Sequence, residues 1–224
     1  SYDTMTPVQE AVLDIEQPDA DLLVSAQTGS GKTLAFGLSI ATTLLQEDTE
    51  FSRPKLPVAL IIAPTRELAL QVRKELEWVY ARTKAQFASC VGGMDPRAER
   101  RTLESGAHIV VGTPGRLRDH IERGALRLSD IKAVVLDEAD EMLDMGFRED
   151  LTFILEKAPV SRRTLLFSAT VPAQIAKMAR TYQKETIRIS VSSKTTQHLD
   201  ISYHAIKIQP SDRDKSIINL LRYH

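Results

Sequence analysis

Cysteine is almost missing from this chain. Cys90 stands alone among 224 residues, so no disulfide can close within it. It lies in the apolar run 87–91 and reads as a small core residue. No apolar stretch approaches the roughly 20 residues that a membrane helix needs. The opening residues also lack the charged, apolar and small-residue succession of a signal peptide. Neither sign of charge dominates: the formal net charge is −1, which taken alone argues mildly against a nucleic-acid binder. The five histidines, His108, His120, His198, His204 and His224, show no metal-ligand spacing and read as structural or surface residues. These absences set aside disulfide-stapled secreted domains, membrane spans and zinc modules, and leave a cytoplasmic protein as the expectation. With 42% hydrophobic and 26% charged residues, the length suits one large α/β domain, or one domain plus a fragment.

What is present is alternation. Short apolar, β-branched runs near 22–25, 59–63, 87–91, 108–111, 133–136, 164–167 and 186–189 predict strands. Between them, apolar residues at helical spacing predict helices at about 7–15, 32–45, 66–80, 96–104, 114–123, 139–155 with a break near Gly146, and 172–182. Several of these helices open on proline, whose fixed φ suits a first turn. Strands alternating with helices predict an α/β fold, a parallel β-sheet with helices on both faces. The polar segment 47–55 reads as a surface loop.

The most informative stretch follows the first strand: Ala26, Gln27, Thr28, Gly29, Ser30, Gly31, Lys32 and Thr33. A glycine-bearing loop between a strand and a helix is what a phosphate cradle requires. Gly29 and Gly31 let successive N–H groups turn toward one oxygen cluster, and the Lys32 ammonium can reach β- and γ-phosphates. The Thr33 hydroxyl is then placed to ligate Mg²⁺. The six defining positions would coincide in roughly 10⁻⁵ of chains this long, so the match predicts a nucleoside triphosphate site. A triphosphate needs a metal-anchoring acid, and the strand 133–136 ends in Asp137-Glu138-Ala139-Asp140. Ligands collect outside the carboxyl ends of parallel strands, which places Asp137 beside the phosphate loop. Glu138 can then orient and deprotonate an attacking water. Ser168-Ala169-Thr170 closes the next strand, with two hydroxyls that can bond Asp140.

Thr6-Pro7-Val8-Gln9, the loop 26–33, Pro64-Thr65-Arg66-Glu67-Leu68, Gly92-Gly93, Thr113-Pro114-Gly115-Arg116, Asp137 to Asp140 and Ser168 to Thr170 occur in that order. In this succession the chain resembles the DEAD-box RNA helicase family, from about Tyr2 to about Ile189. The resemblance implies a RecA-like P-loop NTPase fold, ATP and Mg²⁺ as cofactors, and RNA as partner. It implies catalytic roles for Lys32, Asp137 and Glu138, and nucleotide binding by Gln9 and residues 26–33. Magnesium would be held by Thr33 and Asp137, partly through water. RNA contacts are implied for Pro64, Thr65, Arg66, Gly93, Thr113, Gly115 and Arg116, and ATP–RNA coupling for Asp140, Ser168 and Thr170. Arg97, Arg100, Arg101 and Arg118 lie in or after the same loops, and a solvated helix face accounts for them as well. The Gln9 amide can pair with the N6 and N7 edge of adenine and not with guanine. A guanine site is further disfavoured because Asn219 is the only asparagine. The aromatic that the family stacks on adenine would fall before Ser1.

Beyond Ile189 the chain turns Ser/Thr-rich, then alternates over 201–208, then shows a helical pattern over 211–222 with Ile217, Leu220 and Leu221. We read 1–189 as an N-terminal RecA-like ATP-binding domain, 190–200 as a linker, and 201–224 as the truncated start of a second RecA-like domain. In the family that second domain supplies arginine fingers, so the fragment is expected to hydrolyse ATP barely, and residues 201–224 could pair two copies. An ATP-gated RNA clamp without strand separation, or a DNA translocase using the same engine, remain open beside the helicase reading.

Overall fold

The computed structural model describes residues 4–191 and 206–223. Alternating elements appear in the order α1 (Pro7–Leu13), β1 (Leu22–Ala26), α2 (Lys32–Leu45), β2 (Ala59–Ile62), α3 (Arg66–Val79), β3 (Phe87–Cys90), α4 (Pro96–Ser105), β4 (Ile109–Gly112) and α5 (Pro114–Glu122). They continue through β5 (Ala133–Leu136), α6 (Ala139–Asp144), α7 (Arg148–Lys157), β6 (Arg163–Ser168), α8 (Ala173–Tyr182) and β7 (Ile187–Val191). A separate short piece follows, a 3-10 turn Pro210–Asp212 and α9 (Arg213–Tyr223). The chain divides into two compact units near residue 192.

The seven strands run in the order β3-β4-β2-β5-β6-β1-β7. Every pairing is parallel. A parallel sheet sends each chain reversal through a crossover helix, so every loop that follows a strand lands on the same edge. Loops distant in sequence are thereby lined up along one crevice.

Apart from the edge strand β7, the strands are largely buried on both faces, and their side chains alternate between two cores. Leu22, Val24, Ile61, Val111, Val135 and Phe167 pack toward Val8, Phe36, Ile40, Val72 and Leu76 of α1 to α3. Leu23, Leu60, Ile62, Val134, Leu136 and Leu166 pack toward Leu117, Met142, Ile154 and Ile175 of α5 to α8. Phe36 and Phe167 meet edge to face at 5.4 Å. Burying each such side chain stabilises by about 1.5–3 kcal/mol.

The opposite edge of the sheet is closed by charge. Asp21 accepts the Thr164 and Lys184 amides, each at 2.6 Å. Buried Arg163 donates to the Ala20 carbonyl at 2.9 Å and to the Ser39 carbonyl at 2.7 Å. Hydrogen-bonding on all sides is what makes such burial of ionised groups tolerable.

Several boundaries differ from the sequence reading. The predicted helix 139–155 is two helices, because Gly146 takes φ +88° and a 3-residue connection separates α6 from α7. Its left-handed backbone cannot continue a right-handed turn. Ser190 and Val191, assigned to the linker, extend β7 through pairing with Ser25 and Ala26. Of the strand expected over 201–208, residues 206–208 show no strand pairing among the described residues, and 201–205 lie outside the described residues, as do 192–200. The expected C-terminal helix is present as α9, with Ile217, Leu220 and Leu221 exposed. No helix among the described residues is long and apolar enough to cross a membrane.

Candidate nucleotide site and RNA-facing edge

The loop between β1 and α2 is shaped from both sides. Gly29 and Gly31 take φ +78° and +85°, the left-handed region that side chains disfavour. The Ser30 carbonyl accepts the Thr6 hydroxyl at 2.8 Å, and the Gly31 carbonyl accepts the Gln9 amide Nε2 at 3.2 Å. With its carbonyls drawn toward α1, the loop keeps the amides of Gly29, Gly31 and Lys32 without an intramolecular acceptor among the described residues. Free N–H groups at a helix start are a ready anion site. Gln9 itself is buried: Thr6 and Gln9 form a reciprocal capping box at the start of α1, with the Thr6 amide donating to Gln9 Oε1 at 2.9 Å. Both ends of the Gln9 amide are therefore engaged within the protein.

Across the crevice, β5 delivers Asp137 and Glu138. Lys32 Nζ lies 2.7 Å from Glu138 Oε1 and 3.9 Å from Asp137 Oδ1, all three side chains being buried. The Thr28 hydroxyl donates to the same Glu138 oxygen at 2.9 Å. Glu138 Oε2 makes no hydrogen bond among the described residues. Glu138 sits at φ 53°, ψ 52°, a left-handed conformation that costs a non-glycine residue roughly 1–2 kcal/mol and that turns its side chain back toward the loop. Burial pushes the Asp137 carboxyl up to about 7, against the pull of the Lys32 ammonium. Asp137 Oδ1 is buried with no hydrogen-bond donor among the described residues. An orphaned carboxylate oxygen beside a phosphate cradle suits a hard cation, and the Thr33 hydroxyl on the first turn of α2 is of the matching oxygen type.

Asp140, the second residue of α6, meets the loop after β6. Its Oδ2 accepts the Thr170 hydroxyl at 2.8 Å and the Thr170 amide at 2.9 Å. Ser168 meets the Asp140 backbone instead, its hydroxyl accepting the amide at 3.3 Å. Burial pushes the Asp140 carboxyl up, but the neighbouring Ser168 hydroxyl and the Thr170 bonds outweigh it and hold it below the usual range.

Further along the same edge, Pro64, Thr65 and Arg66 follow β2, Gly93 follows β3, and Thr113, Gly115 and Arg116 follow β4. Thr65 caps α3 through a bond from the Leu68 amide. Arg66 and Arg116 both reach across to the loop after β3, Arg66 Nη1 to the Gly93 carbonyl at 3.4 Å and Arg116 Nη1 to the Met94 carbonyl at 3.1 Å. Arg118 is turned away, bonding Glu122 and Asp150 and lying over the Phe153 ring at 5.0 Å. Arg100 pairs with Glu104 along α4, as on an ordinary solvated helix face.

Sequence reasoning passed over Glu99. It is buried on α4 and joins β3 to α5 through bonds to the Val91 amide, Arg116 and His120. His120 and His108, read only as structural or surface residues, are both buried. An acidic residue in an Arg-rich helix, Arg97 to Arg101, was the one available signal.

Comparison with known proteins bears on the family and the fold. The family model described as DEAD/DEAH box helicase matches residues 6–178. The DEAD-box ATP-dependent RNA helicase CshA of Geobacillus kaustophilus is 38% identical over 220 residues, 98% of this chain and 46% of that protein. CshA of Streptococcus pneumoniae is 44% identical over 207 residues, covering 91% of this chain and 38% of its own length. This chain thus spans less than half of the curated relatives that it matches. Among solved structures, a DEAD box protein from Methanococcus jannaschii superposes with a TM-score of 0.74 at 33% identity, over 96% of this chain and 56% of that one. The yeast DEAD-box splicing factor Prp28 gives 0.73 at 34% identity, over 86% and 46%.

Proposed function

Since this chain belongs to the DEAD/DEAH box helicase family, we propose that it is the nucleotide-binding part of an ATP-dependent RNA helicase, with a RecA-like domain over residues 1–189. The observation that carries the reading is the meeting of Lys32, Asp137 and Glu138 within one buried pocket. Triphosphate oxygens entering the amide cradle compete with Glu138 for the Lys32 ammonium. Glu138, released from that pairing, accepts a proton from a water aligned on the γ-phosphorus. The residues fit a magnesium ion, which Thr33 and Asp137 would hold and which supplies neutralisation of phosphate charge. Gln9 has a second Nε2 hydrogen for the adenine edge. Asp140 relays changes at the acidic loop to Ser168 and Thr170.

Arg66, Arg116 and the backbone around Pro64, Thr65, Gly93, Thr113 and Gly115 grip the phosphates of an RNA strand, contacts that position without reading bases. Residues 192–200 serve as linker and 201–224 as the opening of a second RecA-like domain. We place the protein's action in the cytoplasm. The exposed Ile217, Leu220 and Leu221 give α9 a face through which two copies can associate. Sedimentation at rising concentration tests this, and a monomer at every concentration excludes it.

Glu138→Gln tests the catalytic assignment. The variant should bind Mg²⁺-ATP within about threefold of the parent while turnover falls by roughly 10²-fold or more, the usual worth of a general base. Turnover unchanged in the variant removes Glu138 from the mechanism.

A further inference from the structure

Glu99 is a carboxylate about 6% exposed, with no place in phosphate chemistry. Its Oε1 accepts the Val91 amide at 2.8 Å, and its Oε2 accepts both Arg116 Nη1 and His120 Nε2 at 2.7 Å. Cys90 completes the cluster, and the sulfur, carboxylate and imidazole ligand atoms all lie within 4.8 Å of one another. Such a trio could hold a soft cation. Here both carboxylate oxygens are already taken by N–H donors, one of them a guanidinium, and burial pushes the Cys90 thiol up, away from the thiolate a metal needs. The cluster is a hydrogen-bonded hub.

What the hub holds is Arg116. One nitrogen, Nη1, is anchored to Glu99 and to the Met94 carbonyl, while Nε and Nη2 have no acceptor among the described residues. The Arg116 side chain is 15% exposed. A planar fork fixed along one edge presents the other edge in a set direction. Glu99 also grips the amide of Val91, just before Gly92 and Gly93, so one carboxylate ties together the segments after β3 and β4.

We propose that Glu99, backed by His120, is a positioning residue that aims the free edge of Arg116 at a backbone phosphate of single-stranded RNA. This rests on the reading of Arg116 as an RNA contact. Holding the guanidinium in its binding geometry before RNA arrives removes part of the ordering cost at association.

Glu99→Gln separates positioning from folding. The amide oxygen keeps the Val91 bond, and its NH₂ can donate to His120 Nε2 once the imidazole carries its proton on Nδ1. Toward Arg116, however, it presents a donor in place of an acceptor. Charge and positioning then predict opposite signs. Losing a negative charge beside a phosphate site should tighten binding, whereas loosening Arg116 should weaken it.

A fluorescent oligouridine is titrated into the 224-residue chain, into Glu99→Gln, into Arg116→Ala and into the double variant. We expect Glu99→Gln to bind about fivefold more weakly. The double variant should be no weaker than Arg116→Ala within about twofold, because Glu99 acts through Arg116. Without RNA, the ¹⁵N-edited Nε–Hε signal of Arg116 should be dispersed in the parent and collapse toward the free-arginine position in Glu99→Gln. Unchanged or tighter binding by Glu99→Gln while Arg116→Ala weakens it, multiplicative penalties, or an Arg116 signal that does not move would each overturn the inference alone. Unaltered binding by Arg116→Ala would remove the RNA role of Arg116 itself, and the inference with it.

Discussion

At position 108 a neutral imidazole bridges two strands of backbone. Nδ1 accepts the Gln86 amide at 2.9 Å, so Nε2 carries the hydrogen toward the Ser52 carbonyl at 2.7 Å, with the ring stacked 4.5 Å from Phe51. A second proton at Nδ1 would face the Gln86 N–H. Burial, which disfavours the charged form, holds the His108 pKa below its ordinary 6.5. A lowered native pKa means that this stability is complete above pH 6.5 and is lost as pH falls through the native value. Urea unfolding at about pH 7.5 and about pH 5 should therefore show a lower midpoint in acid. His108→Gln, less stable overall, should show a smaller change between the two. Equal changes in parent and variant would acquit His108. The histidine's partners lie in the loop before β2 and the turn before β3, and nothing local in the sequence announces them.

Elements were legible where their signals are local. Strand periodicity, opening prolines and the glycine loop all lie within a few residues of what they specify, and the strands and helices of the sheet appear where those signals stand. The ends were not, since Gly146 divides one helix by its φ and β7 runs on to Val191 by pairing with β1. The clasp between α1 and the phosphate loop is likewise tertiary. A methyl group on Gly31 would lie 2.5 Å from Gln9 Nε2 and 3.2 Å from the Thr6 hydroxyl, on a backbone at φ +85°. Gly31→Ala should lose about 2–3 kcal/mol of stability, combining left-handed strain with a displaced clasp. Gly29→Ala, at φ +78° with nothing within 4 Å, carries only the strain, about 1–2 kcal/mol. Chemical denaturation of both variants checks this, and equal losses would dismiss the clasp.

For the whole molecule, the parallel sheet is what makes a site. It gathers loops from residues 27 to 172 on one edge, which places Lys32 against Glu138 across 106 residues of sequence. The chain nonetheless spans only 46% of one CshA relative and 38% of another. Family resemblance assigns the arginine finger to a second domain, and such a finger is worth about 10³–10⁵ in turnover. The 224-residue chain alone should hydrolyse ATP barely and with little stimulation by RNA, as followed by phosphate release. Brisk RNA-stimulated turnover would overturn that expectation.

By itself the sequence determined the alternation, the phosphate loop, the acidic pair and the family succession, because each is written in contiguous residues whose backbone and side chains act together. Tertiary structure alone decided that Lys32 rests on Glu138, that Glu99 holds Arg116, and that Asp21 and Arg163 seal the far edge. Those partners are set by the order in which strands pair and by which side chains are desolvated together, and neither is encoded within any one segment.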